Sequence, residues 1–527
     1  GSGYASALRP VLRRPLPWFA FGVIWVALGV FWFLGMPEEL MPGDDRATVL
    51  IFNQAPEGAT LEYTDRYQRL AERAVASQPE VSRAFSVVSL GLGTPGLVNQ
   101  GFLWVSLVPR EERARSQKEV VEALHDPLGD LAGVSSFAFE LRPLGGFLAT
   151  PVELTLQGPD LAELKRHSQQ IVDRLSAERG FVNVQTDLFL DKPQLDVAID
   201  RDRASDLGVS VREIATTLQI LLGGLDVSTF KLEGETYNVM AQLPRAERAR
   251  PGDVFGLYVR GRGGQLVSLR SVVAARETVA PRSLNHFDRQ RAVTVKADLD
   301  EGLTQGEALE RAGEAAEAVL AGAPGYRYVF SGEAEKFYES GNALLFAYGL
   351  AVLVVYLVLA GQFESFVHPL TILVGVALSF TGALLALSAV GHTLNLYSKI
   401  GLVMLVGLVA KNSILIVEFA NQLRERGLPL LEATFEASRT RFRPILMTAL
   451  ATVMGILPIA LGSGAGGEAR APLGVAVVGG MLFSTALTFF VVPATYYAVE
   501  RLREGLAERR GRGAAPAAAA PATGGGA

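Results

Sequence analysis

The chain has 527 residues, a formal charge of −5 and a mean hydropathy of +0.26, which together exclude a single soluble domain. It has no cysteine, so no disulfide braces it and no thiol chemistry is available. The small net charge says little by itself, because the charges divide between compartments, and no nucleic-acid partner is expected.

In chain order, the opening stretch GSGYASALRPVLRRP does not begin with methionine and reads like the interior of a longer protein, so the chain is expected to be one half of it. Leu16–Met36 follows as the first of six segments apolar enough to cross a bilayer, which takes about 20 residues. Its apolar run is too long for a cleavable signal peptide, and no small-residue cleavage site follows. The stretch Pro37–Gly341 has ordinary globular composition, with alternating strand and helix signals. Strands are predicted at Ala47–Asn53, Ser82–Leu90, Gly101–Pro109 and Ser135–Leu141, with helices at Leu61–Ser77 and Ser116–Leu131. The scheme then repeats, with strands at Pro151–Gln157, Val182–Leu188 and Leu195–Ile199 and helices at Leu161–Glu178 and Arg212–Leu222. Past an insertion, strand Gln290–Ala297, helix Leu303–Ala321 and strand Tyr326–Ser331 complete the second unit.

The insertion has short alternating runs and the turn signal Gly261-Arg262-Gly263-Gly264, and is read as a small β-rich lobe. The predicted organisation is a cytoplasmic segment and first span (1–36), one split βαβ unit (37–150), a second (151–222 and 284–338) interrupted by the lobe (223–283), five spans (339–500) and a tail (501–527). The five spans are Asn342–Gly361, Leu370–Val390, Ile400–Asn421, Pro444–Gly462 and Leu473–Tyr497. The tail, GRGAAPAAAAPATGGGA, has no apolar pattern to bury and is expected to be disordered.

Arginine placement sets the orientation. Arg9, Arg13 and Arg14 precede the first span, and Arg424, Arg426, Arg439, Arg441 and Arg443 fill the loop between the fourth and fifth. Arg501, Arg503, Arg509, Arg510 and Arg512 follow the sixth. All three clusters fall on one side, so the termini are expected to be cytoplasmic and the large region to face outward.

Lys411 is the most telling residue, because it stands at the centre of the span Ile400–Asn421. A charge there costs about 2.5–3.5 kcal/mol on insertion scales, which is tolerated where it faces a bundle interior and finds a counter-charge. Snorkelling suits lysines near helix ends, not one at the middle. The only acidic residue well inside a span is Glu418, seven residues on and so about 10 Å along the same face, too far to neutralise Lys411. Its counter-charge is therefore expected from outside this chain.

Four collinear stretches carry a family resemblance: GLVAKNSILIVEFA (Gly407–Ala420), RTRFRPILMTALATVMGILP (Arg439–Pro458), PQLDVAIDRDRASDLGVS (Pro193–Ser210) and AGQFESFVHP (Ala360–Pro369). With them the chain resembles the C-terminal half of a resistance-nodulation-division multidrug exporter of the hydrophobe/amphiphile type. The resemblance implies a membrane α-helical bundle of six transmembrane helices. To this it adds a large periplasmic α+β region of two βαβ-type porter subdomains and an inserted β-rich docking lobe. It further implies a homotrimer in the Gram-negative inner membrane, driven by a proton gradient and without a cofactor or metal. The partners implied are an N-terminal half with acidic relay residues, a periplasmic adaptor and an outer-membrane channel. On the matching positions it implies a proton relay of Lys411, Asn412, Thr448 and, towards the proton exit, Arg441. Ser89–Gln100 resembles the switch loop between binding pockets, with Gly91, Gly93 and Gly96 as its pliable points, and Phe85, Val87, Leu90, Leu92 and Trp104 match pocket-lining positions. Leu90 and Leu92 stand where the family usually has phenylalanine, which implies a less aromatic lining.

Other readings fit less well. A metal exporter of the superfamily needs soft ligands, and beyond its entry the outward region offers only Met240 and three scattered histidines, His125, His167 and His286. A secretion-accessory protein would carry an aspartate in the fourth span and a differently built outward domain, and Lys411 and the Pro193–Ser210 motif stand against it. A lipid or hopanoid transporter shares the fold and differs in pocket lining. No nucleophile constellation or phosphate loop points to an enzyme.

Overall fold

The six apolar segments become six long helices in the computed structural model, which describes residues 2–90, 96–141, 149–190, 192–300, 302–464 and 466–513. An additional helix, α1 (Ser2–Arg13), precedes them, then α2 (Pro15–Gly35). The sequence reading missed α1. It is amphipathic: Tyr4, Leu8, Val11 and Leu12 recur at helical spacing, are buried, and pack against Ile416, Ile445 and Phe489, while the Arg9 guanidinium lies 5.1 Å over the Phe435 ring.

The chain then enters a four-stranded antiparallel sheet of order β2-β3-β1-β4. Its elements are β1 (Thr48–Gln54), α3 (Leu61–Ala76), β2 (Val81–Val88), β3 (Gln100–Leu107), α4 (Gln117–Gly129) and β4 (Ser135–Glu140). Val49, Ile51, Leu103 and Val105 point from one sheet face into a core with Ala71, Val75, Val120 and Leu124 of the two helices. Thr60 caps α3, and Ser116 with Glu119 forms a capping box on α4.

The second unit starts with β5 (Val152–Gln157), α5 (Leu161–Ala177) and β6 (Phe181–Thr186). The chain then leaves it for the lobe: β7 (Lys192–Ile199), α6 (Arg201–Asp206), α7 (Val211–Leu218), the hairpin β8 (Leu225–Leu232) and β9 (Glu235–Ala241), β10 (Tyr258–Arg260), β11 (Leu266–Ser268) and β12 (Val273–Ala280). On return, β13 (His286–Phe287), β14 (Gln290–Leu299), α8 (Gln305–Leu320) and β15 (Arg327–Phe330) complete the sheet. The lobe therefore begins at Lys192, not at 223. The strand expected in the second sheet pairs instead with β12, Lys192 opposite Ala280 and Ile199 opposite Val273. Ala204, Val209 and Ile214 of the predicted second unit pack with Val254, Val259 and Leu269 of the lobe. Periodicity locates a strand but does not say which sheet accepts it.

The remaining helices are α9 (Gly332–Phe363), α10 (His368–Val390), α11 (Leu396–Glu425), α12 (Leu430–Ala460) and α13 (Gly467–Gly513). Several overrun the predicted spans, because an apolar window sees only the part suited to hydrocarbon. Thus α9 starts at Gly332 rather than Asn342, and α12 at Leu430, with Pro444 inside it. In α10, α11 and α13, 61%, 56% and 67% of the apolar window is buried, against 11%, 6% and 17% in α2, α9 and α12. Three helices thus form the centre and three the periphery. Small residues allow the close approaches: a Cβ on Gly474 would sit 2.3 Å from the Ala460 nitrogen.

The short linker after α2 is bonded on two sides. Leu394 N donates to Pro37 O (2.9 Å), Glu39 N to Leu394 O (3.1 Å) and Leu396 N to Leu40 O (3.1 Å), and Lys399 Nζ lies 2.9 Å from Glu38. On its other side Gly306 N donates to Glu38 O (3.0 Å) and Leu40 N to Gln305 Oε1 (2.7 Å).

Asp45 anchors the first unit. It accepts from the fully buried Arg113 side chain and from Gln117 N (3.0 Å) and Ala47 N (3.1 Å). Burial works against its charge, but these bonds outweigh that and hold the carboxyl below the usual range. Asp45→Asn is expected to destabilise the first unit by about 3 kcal/mol, since Arg113 loses a buried counter-charge. Thermal melts across pH check this. A depressed carboxyl stabilises above its unfolded value of about 4, so the deficit is full near neutrality and disappears as acid protonates the folded group.

Candidate functional site

Lys411 lies half-buried on α11, on the same side as Met404 and Gly407, where a Cβ on Gly407 would touch nothing. Among the described residues its ammonium has no ion-pair or hydrogen-bond partner. Thr448 stands on the exposed side of α12 beside Met447, which is 70% exposed, and its hydroxyl donates to Ile445 O of its own helix at 3.1 Å. That is the local bond a helical threonine makes when nothing else is offered. Arg441 stacks 4.7 Å over the Phe419 ring of α11, and its buried Nε has no partner.

Asn412 points the other way. It is fully buried, and neither of its amide atoms has a hydrogen-bond partner. The hydroxyls of Ser413, Thr485 and Thr488 are likewise buried and unpartnered, and those of Ser413 and Thr488 both stand beside Gly375 of α10. Buried polar groups in this state are unusual and call for water or a moving partner. The structure thus splits the predicted relay: Lys411 and Thr448 face outward from the bundle, Asn412 inward.

The second candidate region is the face of the first sheet turned away from α3 and α4. The register aligns two rows across all four strands, Phe85–Trp104–Leu50–Phe139 and Val87–Phe102–Phe52–Phe137. Phe85 is 62% exposed, so it is not sandwich core; Val87 and Trp104 are half-buried. Phe52, Phe102, Phe137 and Phe139 were missed by the sequence reading, although the spacing of Phe137 and Phe139 two apart in SSFAFE marks one face of a strand. Leu90 is exposed at the end of β2. Ser89 N donates to Gln100 O (2.7 Å), and a Cβ on Gly96 would collide with Ser89 O at 2.0 Å, so only glycine closes the loop base this way. Gly91, Leu92 and Gly93 lie outside the described residues.

A cavity of about 610 Å³ lies between the two units and the linker, lined among others by Asp44, Lys118, Glu140, Pro151, Asp300 and Glu333. Arg282 also joins the units, through Glu57 at 3.0 Å.

Six helices long and apolar enough to cross a membrane, one with a charge at mid-span, and an α/β region with an aromatic sheet face fit a membrane transporter. The chain belongs to the AcrB/AcrD/AcrF family, whose model matches residues 1–500, and so to the resistance-nodulation-division transporters. It is 31% identical over 502 residues to an uncharacterized transporter of Haemophilus influenzae, covering 94% of this chain and 48% of that protein. It is 30% identical to the multidrug resistance protein MdtC of Proteus mirabilis, covering 96% of this chain and 49% of MdtC. To the toluene efflux pump membrane transporter TtgB of Pseudomonas putida it is 31% identical, over 95% of this chain and 48% of that pump. The chain thus spans about half the length of these curated relatives.

The two faces of the first sheet respond differently to truncation. Leu103→Ala, in the core, is expected to cost about 2–5 kcal/mol, whereas exposed Phe85→Ala stays within about 0.5 kcal/mol in a denaturant melt. Quenching of Trp104 emission by an aromatic amphiphile, isolated by difference against Trp104→Phe, is expected to weaken in Phe85→Ala.

Proposed function

We propose that this chain supplies one half, the C-terminal one, of a proton-driven exporter of hydrophobic or amphiphilic small molecules in a Gram-negative inner membrane. The observation that carries the reading is Lys411: a mid-span ammonium without a counter-charge among the described residues, on a bundle face that this chain leaves open. The missing half provides carboxylates opposite it. While they are ionised they hold the ammonium; a proton on one of them weakens that hold, and in low dielectric the change amounts to several kcal/mol. α11 and α12 then shift against the other half, with Thr448 exchanging its own-helix bond for one in the network and Arg441 receiving the proton's exit towards the cytoplasm.

The two α/β units act as porter subdomains and the lobe as a docking element for a periplasmic adaptor and an outer-membrane channel, in a trimer. The rows around Phe85 and Trp104 form an apolar wall against which an amphiphile lies, and the loop based on Ser89 and Gly96 switches access to it. Names of relatives support the substrate class: one is a multidrug resistance protein and one a toluene efflux pump. The proton gradient is the energy source, with no cofactor.

The test is efflux of a fluorescent amphiphile from pump-deleted cells that carry the parent protein or its Lys411→Ala variant at matched expression. Efflux by the parent and loss of at least about ten-fold in the variant is the expected outcome. Equal efflux would make the lysine structural and remove the coupling assignment, and no efflux by either would turn attention to lipid transport.

A further inference from the structure

The cytoplasmic ends of α10, α11 and α13 hold a charged cluster that the relay does not use. Glu500 of α13 is 5% exposed, yet it carries a full set of partners: Arg424 Nη1 of α11 at 2.5 Å from Oε2 and Arg503 Nη1 at 2.8 Å from Oε1. Arg424 also reaches Glu504 (2.6 Å), and the Tyr496 hydroxyl donates to Asn421 Oδ1 (2.5 Å). Into this cluster α10 projects His368, 8% exposed, with Nδ1 buried, unpartnered and 3.9 Å from Glu500 Oε1. Its ring lies between Phe363 of α9 and Tyr496, with centroids 5.9 and 6.0 Å away.

We propose that His368 and Glu500 form a proton-binding site at the cytoplasmic end of the bundle, separate from the Lys411 face. Charge and geometry both point there. Arg424 and Arg503 pair with Glu500 and Glu504, and Glu418 adds a third carboxylate close to the imidazole, so two cations meet three carboxylates. Nδ1 is the one buried atom among these groups with no partner, and it faces the carboxylate oxygen that Arg503 shares. A proton taken up on the imidazole completes the balance: Nδ1–H donates to Glu500 Oε1, and α10 becomes tied to α13 by a charge-assisted bond in place of a gap. When the proton leaves for the cytoplasm, the tie is released.

The test uses the whole chain in lipid nanodiscs with ¹⁵N-labelled histidine, of which it has five, and follows the imidazole nitrogens by NMR between about pH 8 and 5. His368→Gln assigns the signal. His368 is expected to titrate in this range. Glu500→Gln should raise the proton concentration needed by about ten-fold, and Arg503→Gln should lower it by a similar factor, because a competing cation is removed. A purely packing role for His368 moves neither midpoint. Should Glu500→Gln fail to fold, the direction of the Arg503→Gln shift decides the matter. A His368 that stays neutral throughout, or midpoints that ignore both substitutions, would overturn the proposal.

Discussion

A lysine ammonium in the middle of an apolar helix, without a counter-charge among the described residues, constrains everything around it. Hydrocarbon does not solvate it, and the nearest carboxylate on its own helix, Glu418, is two turns away and hydrogen-bonded to Gln422 at 2.9 Å. The fold responds by packing the inward faces of α10, α11 and α13 tightly and turning Lys411 to the side the chain does not cover. The same side of α12 exposes Met447, Leu450 and Met454 together with Thr448. Methionine is a common choice where a surface must accommodate a partner that moves, since its side chain re-packs at little cost.

The α/β region solves a different problem with the same logic of two faces. In the first unit the helices cover one side of a four-stranded sheet, and that side is conventional aliphatic core. The other side is rich in aromatic rings and partly open. Rings present broad apolar area with few rotamers to freeze, which suits the proposed binding wall. The leucines at Leu90 and Leu92 implied a less aromatic lining, yet Phe52, Phe102, Phe137 and Phe139 restore rings to the same sheet from other strands. Arg113 and Asp45 tie the entry of β1 to the start of α4.

Much of this was legible in the sequence, and the gaps have physical causes. Long apolar runs announce helices, so all six spans were found, and Lys411 stood out as an anomaly inside one of them. The amphipathic α1 was overlooked because its four buried side chains are interleaved with Arg9, Pro10 and Arg13 in a stretch too short to show a convincing period. The lobe was cut too small because β7 and β12 are separated by the whole lobe, and pairing over such a distance leaves no local mark. The aromatic rows depend on register between four strands, which alternation alone does not specify. The inward turn of Asn412, one residue from Lys411, follows from the 100° step of a helix only once the packed side is known.

The linker from Pro37 to Leu40 behaves as a rigid coupling rod. One flank is clamped to the start of α11, the helix of Lys411, and the other to the start of α8 in the second α/β unit; Gln305 extends the clamp to Pro151 through a 3.0 Å bond. Any axial travel of α11 would reach the second unit through these four residues of backbone, at a joint where Gln305 also bonds Glu333 of α9 (3.4 Å). A proline at its entry and a lysine–glutamate pair beside it stiffen that joint.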